Sequence, residues 1–354
     1  TAQQSEGKDI KYAKDIKQRE HPVYDTVIID EAARVNPGDL MIPMAQAKRR
    51  IILVGDHRQL PHIYDEEIFE AMRDNGNNVG KEIVKISMFQ YLKERAEELY
   101  KIDGIQRTIT LDAQYRMHPE LGEFINKNFY APYGEGFESP LPATKFAQGI
   151  SSTPYLWADI PHSVGNEEKD GTSRTRWCEA NYIVEQIRNY ILSEGGNKLS
   201  YGVITFYSAQ AKLIKKLLKD MDIAERVRVG SVDAFQGMEF DVIFLSVVRT
   251  HTGFPKYNQT LLNMDVSMHD ESDDTFVEWQ KYRDDIGLKY YGFLTSENRL
   301  CVALSRQKRL LIVVGDSKVF HFGDWGNLAE KCVPALKHFY ELCEQKGAVT
   351  NAQA

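Results

Sequence analysis

Short apolar runs alternate along this chain with stretches of helical periodicity, and that alternation limits the fold more than any other feature. Residues 23–29 (V-Y-D-T-V-I-I), 51–54 (I-I-L-V), 202–207 (G-V-I-T-F-Y), 226–229 (R-V-R-V), 241–248 (D-V-I-F-L-S-V-V) and 310–314 (L-L-I-V-V) read as buried strands. Between them, Ile83, Ile86, Phe89, Leu92 and Leu99 suggest one or two amphipathic helices, ended by Gly104. Ala180, Ile183, Val184, Ile187, Tyr190 and Ile191 recur at helical spacing. Ser208 is placed to cap a helix carrying Leu213, Ile214, Leu217 and Leu218, and Pro334 to open the last helix. Strands alternating with helices imply an α/β fold, a parallel sheet covered on both faces. At 354 residues the chain suits two domains, with a boundary expected between 107 and 108. Residues 131–150, rich in Pro and Gly, read as irregular surface, and 251–291, with little periodicity and the run H-D-E-S-D-D, as an insertion loop.

Composition, 42% hydrophobic and 27% charged, is that of a globular chain. The net charge of −7 counts against coating nucleic acid through bulk charge, although a groove with local Lys and Arg is compatible with it. The first residues carry no apolar leader, and no apolar run approaches the ~18–20 residues of a membrane helix, so no membrane partner is expected. Cys178, Cys301, Cys332 and Cys343 are scattered without a C-x-x-C, as buried thiols in a reducing cytoplasm would be.

The chemistry begins where the first strand ends on Asp30 and Glu31. Ligands of open α/β sheets sit outside the carboxyl ends of the strands, and magnesium is held by one or two carboxylates plus substrate phosphates. A neighbouring Glu can orient and deprotonate water. Two solvated acids would read the same. The next strand, however, also ends on polar residues, G-D-H-R-Q-L-P (55–61). Gly55 permits a tight turn, and the Gln59 amide can both donate to a phosphate oxygen and accept from water. Arg116, in Q-Y-R-M-H-P, and Arg306, in V-A-L-S-R-Q-K-R, are suited to a spreading phosphoryl charge, or are surface arginines. Residues 229–239 (V-G-S-V-D-A-F-Q-G-M-E) offer Ser231, Asp233, Gln236 and Gly237 for backbone phosphates, and Glu239 for ribose hydroxyls. His57 reads as a loop polar, and His62 and His118 read as structural. G-N-N-V-G-K-E (76–82) imitates a phosphate-binding loop but has three residues between its glycines and lacks the hydroxyl after Lys81.

Taken in order, these segments resemble those of the superfamily 1B helicases of the nonsense-mediated-decay and Okazaki-fragment-processing type. V-I-I-D-E-A-A (27–33) is similar to motif II, I-L-V-G-D-H-R-Q-L-P (52–61) to motif III and L-D-A-Q-Y-R-M-H-P (111–119) to motif IV. G-V-I-T-F-Y-S-A-Q (202–210) resembles motif IVa, V-G-S-V-D-A-F-Q-G-M-E-F-D-V-I (229–243) motif V, and N-R-L-C-V-A-L-S-R-Q-K (298–308) motif VI. The resemblance implies two RecA-like domains of the P-loop NTPase fold that bind ATP between them and a single strand across both. It assigns magnesium and water to Asp30 and Glu31, and γ-phosphate sensing to Gln59, Arg116 and Arg306. Tyr115, Gly237 and Glu239 would bind the nucleotide, and Thr205, Ser231 and Asp233 the nucleic acid. The implied activity is ATP-driven movement on a single strand of DNA or RNA, DNA being expected, mostly 5′ to 3′.

The Walker A loop and the strands preceding motif II are not found in the sequence. Phe206 stands where the family commonly has Pro and Met238 where it commonly has a charged residue. The expectation is a truncated first domain (1–107) and a complete second domain (108–354). The chain would be the C-terminal part of a larger protein, with little ATPase activity alone. Residues 1–107 would be partly disordered or paired with another chain, and exposed sheet edges could self-associate. The alternative is a module that keeps the helicase shape and binds nucleic acid or protein without hydrolysis. A helicase fused to a nuclease outside these residues is a third reading.

Overall fold

A computed structural model describes residues 22–60, 87–219, 223–269 and 273–351. The chain separates into two compact units, Thr1–Leu111 and Asp112–Ala354. His62, the imitation loop 76–82 and the start of the 83–100 helical pattern lie outside the described residues, as do 1–21 of the segment expected to be partly disordered.

In the first unit, β1 (Tyr24–Ile29) and β2 (Ala47–Leu53) pair in parallel, Val27 opposite Ile51 and Ile29 opposite Leu53. The connecting helix α1 (Pro37–Met44) starts where the Asn36 side chain accepts the Gly38 N–H and Pro37 pre-sets the first turn. Helix α2 (Met88–Asp103) is capped by the Ser87 hydroxyl and ends at Gly104 in the left-handed region, φ 69. It packs on the short turn Ala32–Arg34 that follows β1. Both strands were expected to be buried. Instead Tyr24, Ile28, Ile51 and Ile52 are exposed, Ile28 to 67%. Among the described residues no third strand joins the pair, and parallel sheets bury their strands only when both faces are covered.

The second unit contains α3 (Pro119–Ile125), β3 (Tyr155–Asp159) and the hairpin β4–β5 (Glu168–Asp170, Ser173–Thr175). Next come α4 (Trp177–Leu192), β6 (Tyr201–Thr205), α5 (Ser208–Leu218), β7 (Val227–Ser231) and β8 (Phe240–Ser246). After α6 (Gln259–Leu262), α7 (Asp274–Tyr291) and α8 (Glu297–Leu304) comes β9 (Gln307–Gly315). The unit closes with α9 (Lys318–His321), α10 (Gly323–Cys332), α11 (Pro334–Gln345) and β10 (Val349–Asn351).

Six strands form one all-parallel sheet in the order β10-β3-β9-β8-β6-β7. Successive side chains of a strand face opposite sides, so both layers can be read along the sequence. Val203, Val242, Phe244, Leu310, Ile312 and Val314 join Ile183, Val184 and Ile187 of α4 and Ile214 and Leu218 of α5 in one core. Trp157 faces the other way, its ring 5.7 Å from Phe320 and 5.3 Å from Tyr340. Helices therefore cover both faces.

Three local expectations change. Ser208 opens α5 as its first residue, and Tyr207 is the cap position, with no side-chain bond. β3 and β10 were not anticipated: they are short, and β3 follows the Pro- and Gly-rich tract. The 251–291 insertion is not a loop, since it contains the 18-residue helix α7. The Asp273 side chain caps it by accepting the Thr275 N–H, and Trp279 donates its indole N–H to Leu262 O. Only Ile286, Gly287 and Tyr291 of α7 are buried, all at its C-terminal end, which is why the sequence shows little apolar periodicity.

Candidate functional site

In the first unit the carboxyl ends of β1 and β2 lie side by side. Val54 N–H donates to Ile29 O (2.8 Å) and Ala32 N–H to Val54 O (2.9 Å). This lacing brings the Ala32–Ala33 backbone against Gly55, where a Cβ would stand 2.9 Å from Ala33 N, so no larger residue fits without a shift. Asp30 and Glu31 are exposed at this end, and the Asp30 carboxylate accepts the Glu31 N–H at 2.9 Å. Glu31 sits in the left-handed region, φ 54 and ψ 34, unusual for a residue with a Cβ and a conformation enriched at active sites and ligand clamps. Across the pair, the Gln59 amide nitrogen donates to Asp56 Oδ2 (2.6 Å), and Asp56 Oδ1 also accepts the Arg58 N–H. Asp56 was not singled out in the sequence, yet it fixes the orientation of Gln59. Two hard-oxygen carboxylates suit magnesium, which takes its remaining ligands from phosphate and water. Among the described residues no group of three or more His, Cys, Asp or Glu could hold a metal unaided.

In the second unit, three segments far apart in sequence meet at the amino-terminal edge of β8 and β9. The Arg116 guanidinium donates to Glu239 Oε2 (3.2 Å) and to Ser305 O (3.3 Å). Lys308 lies 2.6 Å from the other Glu239 oxygen, and Phe240 N–H donates to Arg306 O. The Lys308 ammonium, followed by Arg116, holds the Glu239 carboxyl below the usual glutamate range. Arg116 itself is set by Gln114, whose side-chain oxygen accepts the Arg116 and Met117 N–H groups. Arg306 is buried, 1% exposed, with Nη2 donating to the Ser305 hydroxyl at 2.9 Å. Tyr115 is 64% exposed beside this cluster. His118 has the structural role expected of it: its Nδ1 accepts the Glu120 N–H at the start of α3, and burial lowers its pKa. Lys308 carries no apolar or spacing signal, so only its contact with Glu239 reveals it.

The other sequence-derived residues gather at the opposite, carboxyl edge. Thr205 pairs in register with Ser231 on one side and Ser246 on the other. Thr205 is fully buried and its hydroxyl accepts the Tyr207 N–H, while Ser231 is partly exposed. Asp233 is held by Arg299 at 3.4 Å. From Ser231 the chain crosses the sheet to Glu239 through a 3₁₀ turn, Val232–Phe235, and Gly237 at φ +75. Phe235 is wholly buried in a slot left by Gly202 and Gly230, against Phe240 at 5.4 Å. A Cβ on Gly202 would stand 2.5 Å from Ile243 Cδ1 and 2.8 Å from Phe235 Cε1. Gly202→Ala is expected to destabilise the chain by about 1–3 kcal/mol, the usual effect of overfilling a packed core, as measured by urea unfolding followed by near-UV circular dichroism.

Behind this edge lies a buried polar network that the sequence reading missed. Glu179, fully buried in α4, accepts from Arg176 Nη1 (2.9 Å), the Ser246 hydroxyl (2.7 Å) and Val248 N–H. Gln210 ties Arg176 to Ser246. Burial pushes the Glu179 carboxyl up, with the Arg176 charge opposing it. Val248, a β-branched residue at φ 70, is thereby held in a strained conformation just after β8. A signal existed in the sequence: Glu179 stands four residues before Ile183, on the same helical stripe as the core.

A family model described as an AAA domain matches residues 84–318, and a second with the same description matches 11–66. The chain is 30% identical over 344 residues to "Regulator of nonsense transcripts 1 homolog" of Neurospora crassa, covering 93% of this chain and 25% of that protein. It is 30% identical over 345 residues to "ATP-dependent helicase NAM7" of Saccharomyces cerevisiae, covering 93% of this chain and 29% of that protein. The chain thus spans between a quarter and a third of the length of these relatives. A solved structure of Arterivirus nonstructural protein 10 (helicase) aligns with 88% of this chain and 42% of its own, at 14% identity and a TM-score of 0.36. The first match spans well over half of the chain, and the strand-end motifs occur in the order of the resemblance. By these, the chain belongs to the AAA-domain family and, within it, to the superfamily 1B helicases of the nonsense-mediated-decay type, with a RecA-like α/β fold.

Proposed function

We propose that this chain provides the motor machinery of an ATP-dependent nucleic-acid helicase, coupling ATP hydrolysis to movement along a single strand. The observation that carries the reading is the cluster in which Arg116 reaches Glu239 and Ser305, 123 and 189 residues away in sequence. Three separate motifs that converge on one arginine suit charge sensing better than a plain structural role.

Bound ATP with Mg²⁺ supplies the anhydride whose hydrolysis drives movement. In this reading Asp30 holds the metal and Glu31 orients and deprotonates the attacking water. Gln59, pre-oriented by Asp56, senses the γ-phosphate, and Arg116 and Arg306 stabilise the charge that spreads over its oxygens. Tyr115, Gly237 and Glu239 bind the nucleoside. Ser231 and Asp233 face the strand, while Thr205, being buried, shapes the Tyr207 backbone beside them. DNA, followed 5′ to 3′, remains our expectation for the strand.

The test is ATP hydrolysis by the full-length protein with and without single-stranded DNA or RNA. Hydrolysis stimulated by either strand is expected. Strand binding without stimulated hydrolysis would replace this reading with the non-hydrolysing module.

A further inference from the structure

Helix α5 begins at the carboxyl edge of the sheet, one residue after Tyr207, where Ser173 of the β4–β5 hairpin accepts the Ala209 N–H at 3.1 Å. Its buried face carries Ala211, Ile214 and Leu218. Its outer face carries Lys212, Lys215, Lys216 and, at the C-cap, Lys219, spaced i, i+3, i+4, i+7, all exposed. Among the described residues none of the four is in an ion pair. Adjacent like charges at this spacing repel. The helix dipole favours cations near its C-terminus, which accommodates Lys215, Lys216 and Lys219 but not Lys212. Such a ridge, on a chain of net charge −7 and followed in sequence by Asp220 and Asp222, is complementary in charge to an external polyanion.

We propose that this lysine ridge binds the phosphodiester backbone of nucleic acid continuing beyond the Ser231 edge, extending the footprint of the second unit along α5. The proposal rests on the nucleic-acid reading of that edge. From Ser208 to Lys219 the helix rises ~16 Å, long enough to lie beside more than one phosphate of a single strand. Lysines are strongly hydrated point charges on flexible stems, suited to phosphates whatever the base sequence.

The experiment measures binding of the full-length protein to single-stranded oligonucleotides of about 6 and about 30 nucleotides over a range of KCl concentrations. For the longer oligonucleotide, the double variant Lys212→Glu, Lys216→Glu should flatten the log–log salt dependence by at least ~1.4, at ~0.7 per phosphate contact on a single strand. Binding of the shorter one should be unchanged. Lys212→Arg, Lys216→Arg should keep the wild-type slope, and if the glutamate variant does not fold, Lys→Gln at the same positions replaces it. A wild-type protein that binds, with no change of slope in the variant or equal weakening for both lengths, overturns the ridge alone. A wild-type protein that binds neither DNA nor RNA overturns the nucleic-acid reading and the ridge with it.

Discussion

Glu31→Gln is expected to lower strand-stimulated ATP turnover of the full-length protein by about 10²–10⁴-fold, the range typical of losing a positioned general base. The amide keeps the size and shape of the side chain and the left-handed backbone at φ 54, but cannot take a proton. In the proposed assignment the magnesium ligand Asp30 is untouched, so nucleotide affinity should change little and the loss should fall on kcat, leaving KM near its original value. Glu31 lies beside Asp30 at the end of a strand, with its N–H already donated to that carboxylate, so the substitution leaves the local hydrogen bonding intact. A variant that turns over ATP within a factor of two of the wild type would remove Glu31 from the mechanism.

The second large effect is on stability. Glu179→Ala should cost about 3–5 kcal/mol, because it removes the carboxylate hydrogen-bonded to the fully buried Arg176 guanidinium and leaves only more distant carboxylates to offset its charge. That is a large part of the ~5–15 kcal/mol that holds a typical domain together. Carbonyl groups of Ile160, Pro161 and Gly165 would still accept from Arg176, yet they carry no net charge to offset it. The Ser246 O–H and the Val248 N–H, left without their acceptor, add to the loss, and Val248 would be free to leave its strained conformation. By contrast, breaking the exposed Lys337–Glu330 pair should cost no more than about 1 kcal/mol. Denaturant unfolding of both variants checks the comparison. Replacing Arg176 and Glu179 together with Met and Leu should recover much of the stability. Equal, small losses in the two single variants would show that the buried pair is not what holds α4 to β8.

The strands of the second unit were legible because a parallel strand buried on both faces reads as an unbroken apolar run, as in Val242–Leu245 and Leu310–Val314. β10 is too short to carry such a run, and α7 was missed because its packing is confined to one end. The exposure of β1 and β2 could not be read from their composition, since Ile28 and Ile51 look like any core isoleucine until their neighbours are known. For the candidate site, guanidinium chemistry and the family resemblance singled out Arg116 and Arg306, and the segment 229–239 singled out Glu239; the structure brings Arg116 and Glu239 together. Asp56 and Lys308 act through what they touch, and one-dimensional pattern is silent about that. Glu179 shows the intermediate case: its stripe marked it as buried, but only coordinates reveal which donors make its charge tolerable.

Ser231 and Glu239 stand at opposite edges of one sheet, joined by an unbroken segment whose midpoint, Phe235, is wedged between β6, β7 and Phe240. That ring, fully buried, gives the two ends of the segment one shared anchor in the core.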